Sequence, residues 1–280
     1  MIKILIRALP LLALLALSGY VLWDSYNIRT EKLTISIKGL PKNFDGFTIA
    51  HLSDLHGRKL YENGDAFNII TKANPDMVSI TGDFVTSRID EMNNFLPLLK
   101  RLSAQVPIYA VSGNHDHDVG WAQVRNKLEE NGVSVLENEY VLLTRGNERI
   151  SISGVNDPFS RNANLANALP EDDIVTILLA HSPTWFEAQP YDPRFLEETR
   201  LLEKVSLTLV GHTHGGQIKI PFIGPLTTAS GRLFPKDYIE GLSWEGNGWL
   251  YISRGIGYVT IPFRFLSPPE IAIITLRSED

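Results

Sequence analysis

Three features of this 280-residue chain predict an α/β fold. Short runs rich in Val and Ile alternate with longer amphipathic stretches, as strands and helices do when taken in turn. Five of the short runs lead directly into Gly, Asp, Asn or His. After residue 32 no Ser/Gly linker, repeat or low-complexity tract intervenes, so residues 33–280 read as one domain behind an N-terminal segment, 1–32.

That segment comes first. Lys3 and Arg7 precede a 16-residue uncharged run from Ala8 to Trp23. As a helix it would cover roughly 24 Å, a little short of the about 30 Å hydrocarbon core of a bilayer. Ile4, Leu5 and Ile6 extend it if Arg7 snorkels, and Tyr20 and Trp23 suit an interface. The expectation is one N-terminal transmembrane helix, a single-pass anchor in the cell (inner) membrane. A cleaved signal peptide, with Ala16 and Ser18 as the small residues before the cut, is disfavoured because the apolar run continues through Tyr20 to Trp23. A buried core helix is the third reading. Lys3 and Arg7 would hold the N-terminus in the cytoplasm, but Arg29 and Lys32 follow closely, so both orientations stay open.

After a polar connector, Asp24 to Lys32, strands are expected at 47–52, 77–81, 108–111, 174–180, 207–210, 249–253 and 271–276. Helices are expected at 62–73, 90–102, 119–130 and 193–204, the first stopped by Asn74-Pro75. Net charge is −6, which argues against a broad basic surface for nucleic acid. The absence of cysteine excludes disulfides, thiolate metal sites and a Cys nucleophile.

The chemistry lies at the ends of the strands. The run at 47–52 leads into Ser53-Asp54-Leu55-His56-Gly57, and that at 77–81 into Gly82-Asp83. The run at 108–111 leads into Ser112-Gly113-Asn114-His115-Asp116; that at 174–180 ends on His181, and that at 207–210 on Gly211-His212-Thr213-His214. Ligands of open α/β sheets bind outside the carboxyl ends of the strands. Singly, these motifs say little, since Gly-Asp after a strand is usually a turn. Jointly they say more: all seven histidines (51, 56, 115, 117, 181, 212 and 214) fall in or beside these segments. Seven mixed Asp, Asn and His donors are too many for one tetrahedral ion, and a pair of ions accommodates them.

Asp54-Leu55-His56, Gly82-Asp83, Gly113-Asn114-His115-Asp116, His181 and Gly211-His212-Thr213-His214 resemble, in order and spacing, the five signature blocks of the calcineurin-like metallophosphoesterases. Gly211 to Pro221, Ser253 to Gly257, Arg264-Phe265 and Pro269-Glu270 are similar to that superfamily's membrane-anchored phosphodiesterase branch, which includes enzymes that cleave the pyrophosphate of UDP-2,3-diacylglucosamine. The resemblance implies a four-layer α-β-β-α sandwich of two mixed sheets. It implies two divalent ions, from among Mn, Fe, Zn and Co, sharing a hydroxide that attacks phosphorus in line. Asp54, His56 and His214 would bind the first ion, Asn114, His181 and His212 the second, with Asp83 between them. His115 would be the general acid or a phosphate contact, oriented by Asp116.

Arg58 is a candidate substrate contact, with a solvated surface charge as its bland reading. His117 is expected to face solvent, and His51 to pack within its strand. A metallo-β-lactamase-type hydrolase is excluded, because His115-Asp116-His117-Asp118 is followed by Val119-Gly120 rather than completing that family's His-x-His-x-Asp-His block. A non-catalytic scaffold is disfavoured, since every ligand position and His115 are present. Two substrate readings stay open. One is a lipid-linked diphosphate such as UDP-2,3-diacylglucosamine, supported by the anchor and the apolar segments 220–226 and 258–266. The other is a soluble phosphodiester or phosphomonoester.

Overall fold

Two six-stranded sheets form the centre of the structure, a computed structural model that describes residues 2–157, 162–187, 198–228 and 233–279. The first sheet runs in the order β1 (Arg29–Lys38), β14 (Glu270–Glu279), β2 (Thr48–Leu52), β3 (Met77–Thr81), β4 (Ile108–Val111), β5 (Val133–Val135). Strands β2 to β5 are parallel, and β14 pairs antiparallel with β2 and parallel with β1. The second runs β12 (Gly241–Glu245), β13 (Gly248–Ile252), β9 (Leu207–Val210), β8 (Thr176–Leu179), β7 (Glu148–Gly154), β6 (Glu139–Arg145), parallel at its centre with an antiparallel strand at each edge.

The two-residue period of a strand decides the layering. Ile49 and Met77 point inward and pack with Ile177, Leu179, Leu207 and Leu209 of the facing sheet. Their neighbours Ala50 and Val78 point outward, under α2 (Asp65–Ala73), α3 (Leu96–Ser103) and α5 (Trp121–Glu130). Leu178 and Val210 point to the opposite outer face, beside α6 (Leu165–Ala168). Helices, sheet, sheet, helices: this is the four-layer arrangement that the resemblance implied.

The strands with unbroken apolar runs lie where expected, because central strands of parallel sheets are buried on both faces. Every residue of β3, β8 and β9 is buried. In the two large sheets, the strands that apolar runs do not reveal are β1, β5, β6, β7 and β12, and four of these lie at sheet edges. Strand β1 begins at Arg29, inside the expected polar connector, and alternates exposed with covered positions along its length. Two hairpins, β6–β7 and β12–β13, turn through Gly146-Asn147 and Gly246-Asn247, two-residue loops of a composition that favours such turns. The helix expected at 90–102 divides into a 3-10 turn, Ile89–Asn94, and α3, with Pro97 near the start of the latter. The helix expected at 193–204 lies partly outside the described residues, and Leu202–Lys204 is a 3-10 turn.

Helix α1 (Ile2–Tyr26) carries an 18-residue stretch, Leu9–Tyr26, that is long and apolar enough to cross a membrane. Its last turn is seated in the domain. Ser25 is fully buried and its Oγ accepts the Arg264 amide at 2.8 Å, while Arg58 Nη2 donates to the Tyr26 carbonyl at 3.0 Å.

Candidate metal centre

The carboxyl ends of β2, β3, β4, β8 and β9 meet where the two sheets face each other. The loops they feed are laced by backbone hydrogen bonds: Asp54 N to Gly82 O (3.0 Å), His56 N to Asp83 O (2.9 Å), Gly211 N to His181 O (2.9 Å) and Ile256 N to Ser53 O (3.0 Å). Close approach is possible because of glycine. A Cβ at Gly211 would overlap Ser53 Oγ and the Asp54 carboxylate, and one at Gly113 would overlap Asp83.

Seven predicted donors come together there. His56 Nε2 stands 3.4 Å from Asp83 Oδ2 and 3.2 Å from His214 Nε2, which is 3.6 Å from Asp54 Oδ1. On the other side of Asp83, His181 Nε2 is 3.3 Å from the same Oδ2, 3.1 Å from Asn114 Oδ1 and 3.1 Å from His212 Nδ1. The second Asp83 oxygen accepts the His115 amide at 3.0 Å. Donor atoms of Asp54, His56 and His214, and of Asp83, His181 and His212, lie within 4.8 Å of one another.

Five of these residues hold left-handed backbone: Asp54 (φ 52°), His56 (44°), Asp83 (54°), His212 (72°) and His214 (55°). That conformation costs a non-glycine residue about 1–2 kcal/mol. Concentrated at one place, such strain is a mark of function. It tips each side chain away from its strand direction and toward the shared centre.

The electrostatics suit cations. Burial pushes His56 down to about 4 and His212 to about 3, and it holds His214 well below the ordinary imidazole value. Three neutral imidazoles therefore present lone pairs. Burial alone would raise Asp83, but His181 and His56 outweigh it and hold this carboxyl well below the usual range. Burial likewise opposes charge on His181, yet Asp83 and Asp54 prevail and raise it well above its ordinary value. Burial pushes Asp54 up to about 6. These soft nitrogens and hard oxygens, crowded and shielded from water, fit divalent ions of the Mn, Fe, Co or Zn type. Loading requires the His181 lone pair, so Mn²⁺ binding at pH 7 is expected to release about one proton and to weaken as pH falls. Calorimetric titration of chelator-treated protein in buffers of different ionisation enthalpy reads that proton directly.

His115 borders the cluster, and its Nδ1 donates to the Thr86 carbonyl at 3.0 Å, leaving Nε2 as its free ring nitrogen. The expected orientation by Asp116 is not what the structure contains. Asp116 is fully buried, and its carboxylate accepts three backbone amides: Phe84 (2.8 Å), Val85 (3.2 Å) and Gly113 (2.9 Å). It braces the loops after β3 and β4. Burial and Asp83 push it up to about 8, against those three donors, which favour the carboxylate.

Arg58 also differs from expectation. It borders a separate cavity, and its guanidinium donates to the Ile256 carbonyl (2.6 Å) as well as to Tyr26, clamping α1 rather than facing a phosphate. His117 lies in α4 (Asn114–Val119), half-buried, with Nε2 2.9 Å from Ser112 Oγ, so it does not face solvent. His51 packs as expected: fully buried, 3.0 Å from Ser79 Oγ, pushed down to about 4 by burial.

Thr86 escapes sequence reasoning, and Arg264, named there only within a motif, has a supporting role that the motif does not state. Thr86 holds two rings at once, its hydroxyl 3.2 Å from His56 Nδ1 and its carbonyl on His115; nothing in its sequence context marks it. Arg264 is fully buried, and it donates to the carbonyls of Gly257, Arg254, Ser267 and His214. A lone arginine in the apolar run Ile261 to Leu266 was the available signal. Leaving buried carbonyls unpaired costs about 1–3 kcal/mol each. Arg264→Met is therefore expected to destabilise the fold by at least about 3 kcal/mol, read as a fall in Tm of about 6 °C or more.

A cavity of about 450 Å³ opens above the cluster. Asp83, Asn114, His115 and His212 line it together with Ile218, Leu226, Val259 and Ile261, among which stand Gln217, Thr227, Thr228 and Thr260.

A family model described as calcineurin-like phosphoesterase matches residues 47–216. The chain is 33% identical over 270 residues to an uncharacterized metallophosphoesterase of Bacillus subtilis, YkuE, covering 93% of this chain and 90% of that protein. It is 28% identical over 238 residues to the phosphodiesterase YaeI of Escherichia coli, covering 82% of each. Among solved structures, an archaeal phosphodiesterase aligns over 82% of this chain and 99% of its own at 16% identity, with a TM-score of 0.41, too distant to add to the argument.

Proposed function

This chain belongs to the calcineurin-like phosphoesterases and is a metal-dependent phosphoester hydrolase, and we propose accordingly that its centre holds two divalent ions and cleaves a phosphodiester or pyrophosphate bond. One observation carries the proposal. Asp83 stands between two imidazole groups, with one oxygen 3.4 Å from His56 Nε2 and 3.3 Å from His181 Nε2. Asp54, His56 and His214 would hold one ion, Asn114, His181 and His212 the other, and Asp83 would serve both. Such ions supply Lewis acidity toward the phosphoryl oxygens and a water acidic enough to deprotonate near neutral pH.

The remaining work falls to side chains. His115 donates a hydrogen bond from Nδ1–H to the Thr86 carbonyl, which leaves Nε2 for the cavity, where a protonated ring would donate to the departing oxygen. The apolar part of the lining excludes water and receives the non-phosphate part of the substrate. A lipid-linked diphosphate such as UDP-2,3-diacylglucosamine fits a cavity whose lining combines the donor cluster with the apolar residues Ile218, Leu226, Val259 and Ile261. The name of the E. coli relative, a phosphodiesterase, favours a diester over a monoester.

The test is hydrolysis of bis-p-nitrophenyl phosphate by the full chain, chelated and then reloaded with Mn²⁺. Turnover that vanishes on chelation and returns with the ion supports the reading. A reloaded, folded protein that binds Mn²⁺ yet cleaves neither this ester nor UDP-2,3-diacylglucosamine defeats it.

A further inference from the structure

Near the cavity beside the donor cluster, several large apolar side chains are exposed. Phe222 is fully exposed, Leu233 is 71% exposed, and Ile223, Phe234 and Phe263 are exposed as well. Phe222 and Phe234 also hold positive φ, 68° and 51°. Aromatic residues rarely adopt that conformation. Exposure and backbone strain thus coincide at the same tips, and neither serves the packing of the domain.

These tips belong to one hydrogen-bonded unit. Gln217 donates to the carbonyls of Val259 (3.1 Å) and Ile261 (3.0 Å), and Ile218 pairs with Phe265. Strand β10 (Lys219–Ile220) pairs with β11 (Gly224–Pro225), and Phe222 and Ile223 form the turn between them. Leu226 N donates to Ile218 O, and Phe234 N to Leu226 O, both at 3.0 Å. The unit continues into α1, where the Phe265 ring meets Tyr20 edge-to-face at 5.8 Å and the Arg264 amide donates to Ser25.

That contact sets a depth. Helix α1 has 25 residues, and a span of the hydrocarbon core needs about 20. Its upstream leucines Leu9, Leu11, Leu12, Leu14 and Leu15 are more than half exposed. Tyr20 lies six residues before the end of the helix, about 9 Å along its axis. A bilayer surrounding the leucines therefore ends close to the level of Tyr20, and Phe265 sits at that level with it.

We propose that the apolar rim of Phe222, Ile223, Leu233, Phe234 and Phe263 seats in the surface of the same bilayer that α1 crosses, so that the cavity opens among lipid headgroups rather than to bulk water. The inference rests on α1 as a membrane span. The occupant is the lipid surface, because the rim is continuous with α1, among the described residues the helix long and apolar enough to cross a membrane. Seated there, the apolar cavity lining of Ile218, Leu226, Val259 and Ile261 continues the rim inward, a path for the acyl part of a substrate that never leaves the membrane.

The chain has no cysteine, which permits single spin labels on the full-length protein. Phe222→Cys and Phe263→Cys would carry nitroxides in liposomes of phosphatidylethanolamine and phosphatidylglycerol. Leu15→Cys in α1 is the lipid reference, and Tyr140→Cys on β6 the water reference. Collision rates with oxygen and with a water-soluble nickel chelate report depth. Labels at 222 and 263 are expected to shift toward the Leu15 values, with nickel-chelate collisions several-fold below those at 140. Labels at 222 and 263 that match 140 while Leu15 reports lipid overturn the proposal. A Leu15 label that stays in water overturns the span and the proposal with it. The readout is depth, not turnover, so a failure of the proposed hydrolysis leaves this result intact.

Discussion

Asp83→Asn is expected to abolish metal-dependent turnover, lowering kcat/KM at least 10³-fold, and to leave the protein with less than half its bound Mn²⁺ by elemental analysis. The reason is the position of this carboxylate. Its Oδ2 faces both imidazole groups and its Oδ1 accepts the His115 amide, so it stands between the two halves of the cluster. The amide of asparagine keeps the shape but removes the charge that would be shared by two cations. Several kcal/mol of transition-state stabilisation are attributed to such ions, and each 1.36 kcal/mol is tenfold in rate. Charge also explains why stability should not collapse in parallel. In the ion-free protein Asp83 chiefly balances a protonated His181, and the neutral variant lets His181 give up its proton. Retained turnover with full metal content would remove Asp83 from the centre.

The second large effect is expected at His115, and its size should depend on the leaving group. His115→Ala keeps the backbone amide that holds Asp83, so metal content should stay unchanged. General acid catalysis contributes about 10²–10⁴-fold. That loss should appear in kcat for an alkyl phosphodiester, whose departing oxygen needs a proton. It should be much smaller for a p-nitrophenyl ester, whose phenolate leaves without one. An equal loss on both esters would instead make His115 a phosphate contact. Asp116→Asn should not mimic either pattern, because Asp116 holds the amides of Phe84, Val85 and Gly113 rather than the His115 ring.

Residues distant in sequence could be grouped beforehand because each follows a strand. Asp54, Asp83, Asn114, His181 and His212 occupy the ends of β2, β3, β4, β8 and β9, and the apolar runs of those strands are legible since both of their faces are buried. Edge strands were less legible for the converse reason. Strand β6, with one face in water, shows no buried residue among its seven, and its short apolar run is bounded by Glu139, Thr144 and Arg145.

The α/β class, the five strand-end motifs, the donor set and an apolar N-terminal segment could all be read from the chain alone, because strand period and residue chemistry are local properties. How those donors are held emerged only with the folded chain. Left-handed backbone at five of them, Thr86 beneath two rings, Asp116 on three amides and Arg264 on four carbonyls all depend on loops that meet from different strands. The same holds for Arg58, which its sequence context left between phosphate contact and surface charge and which the fold assigns to the end of α1. A hydrogen-bond partner that lies 30 or 200 residues away leaves no trace in the spacing around it, and only the folding of the strands and their loops brings it near.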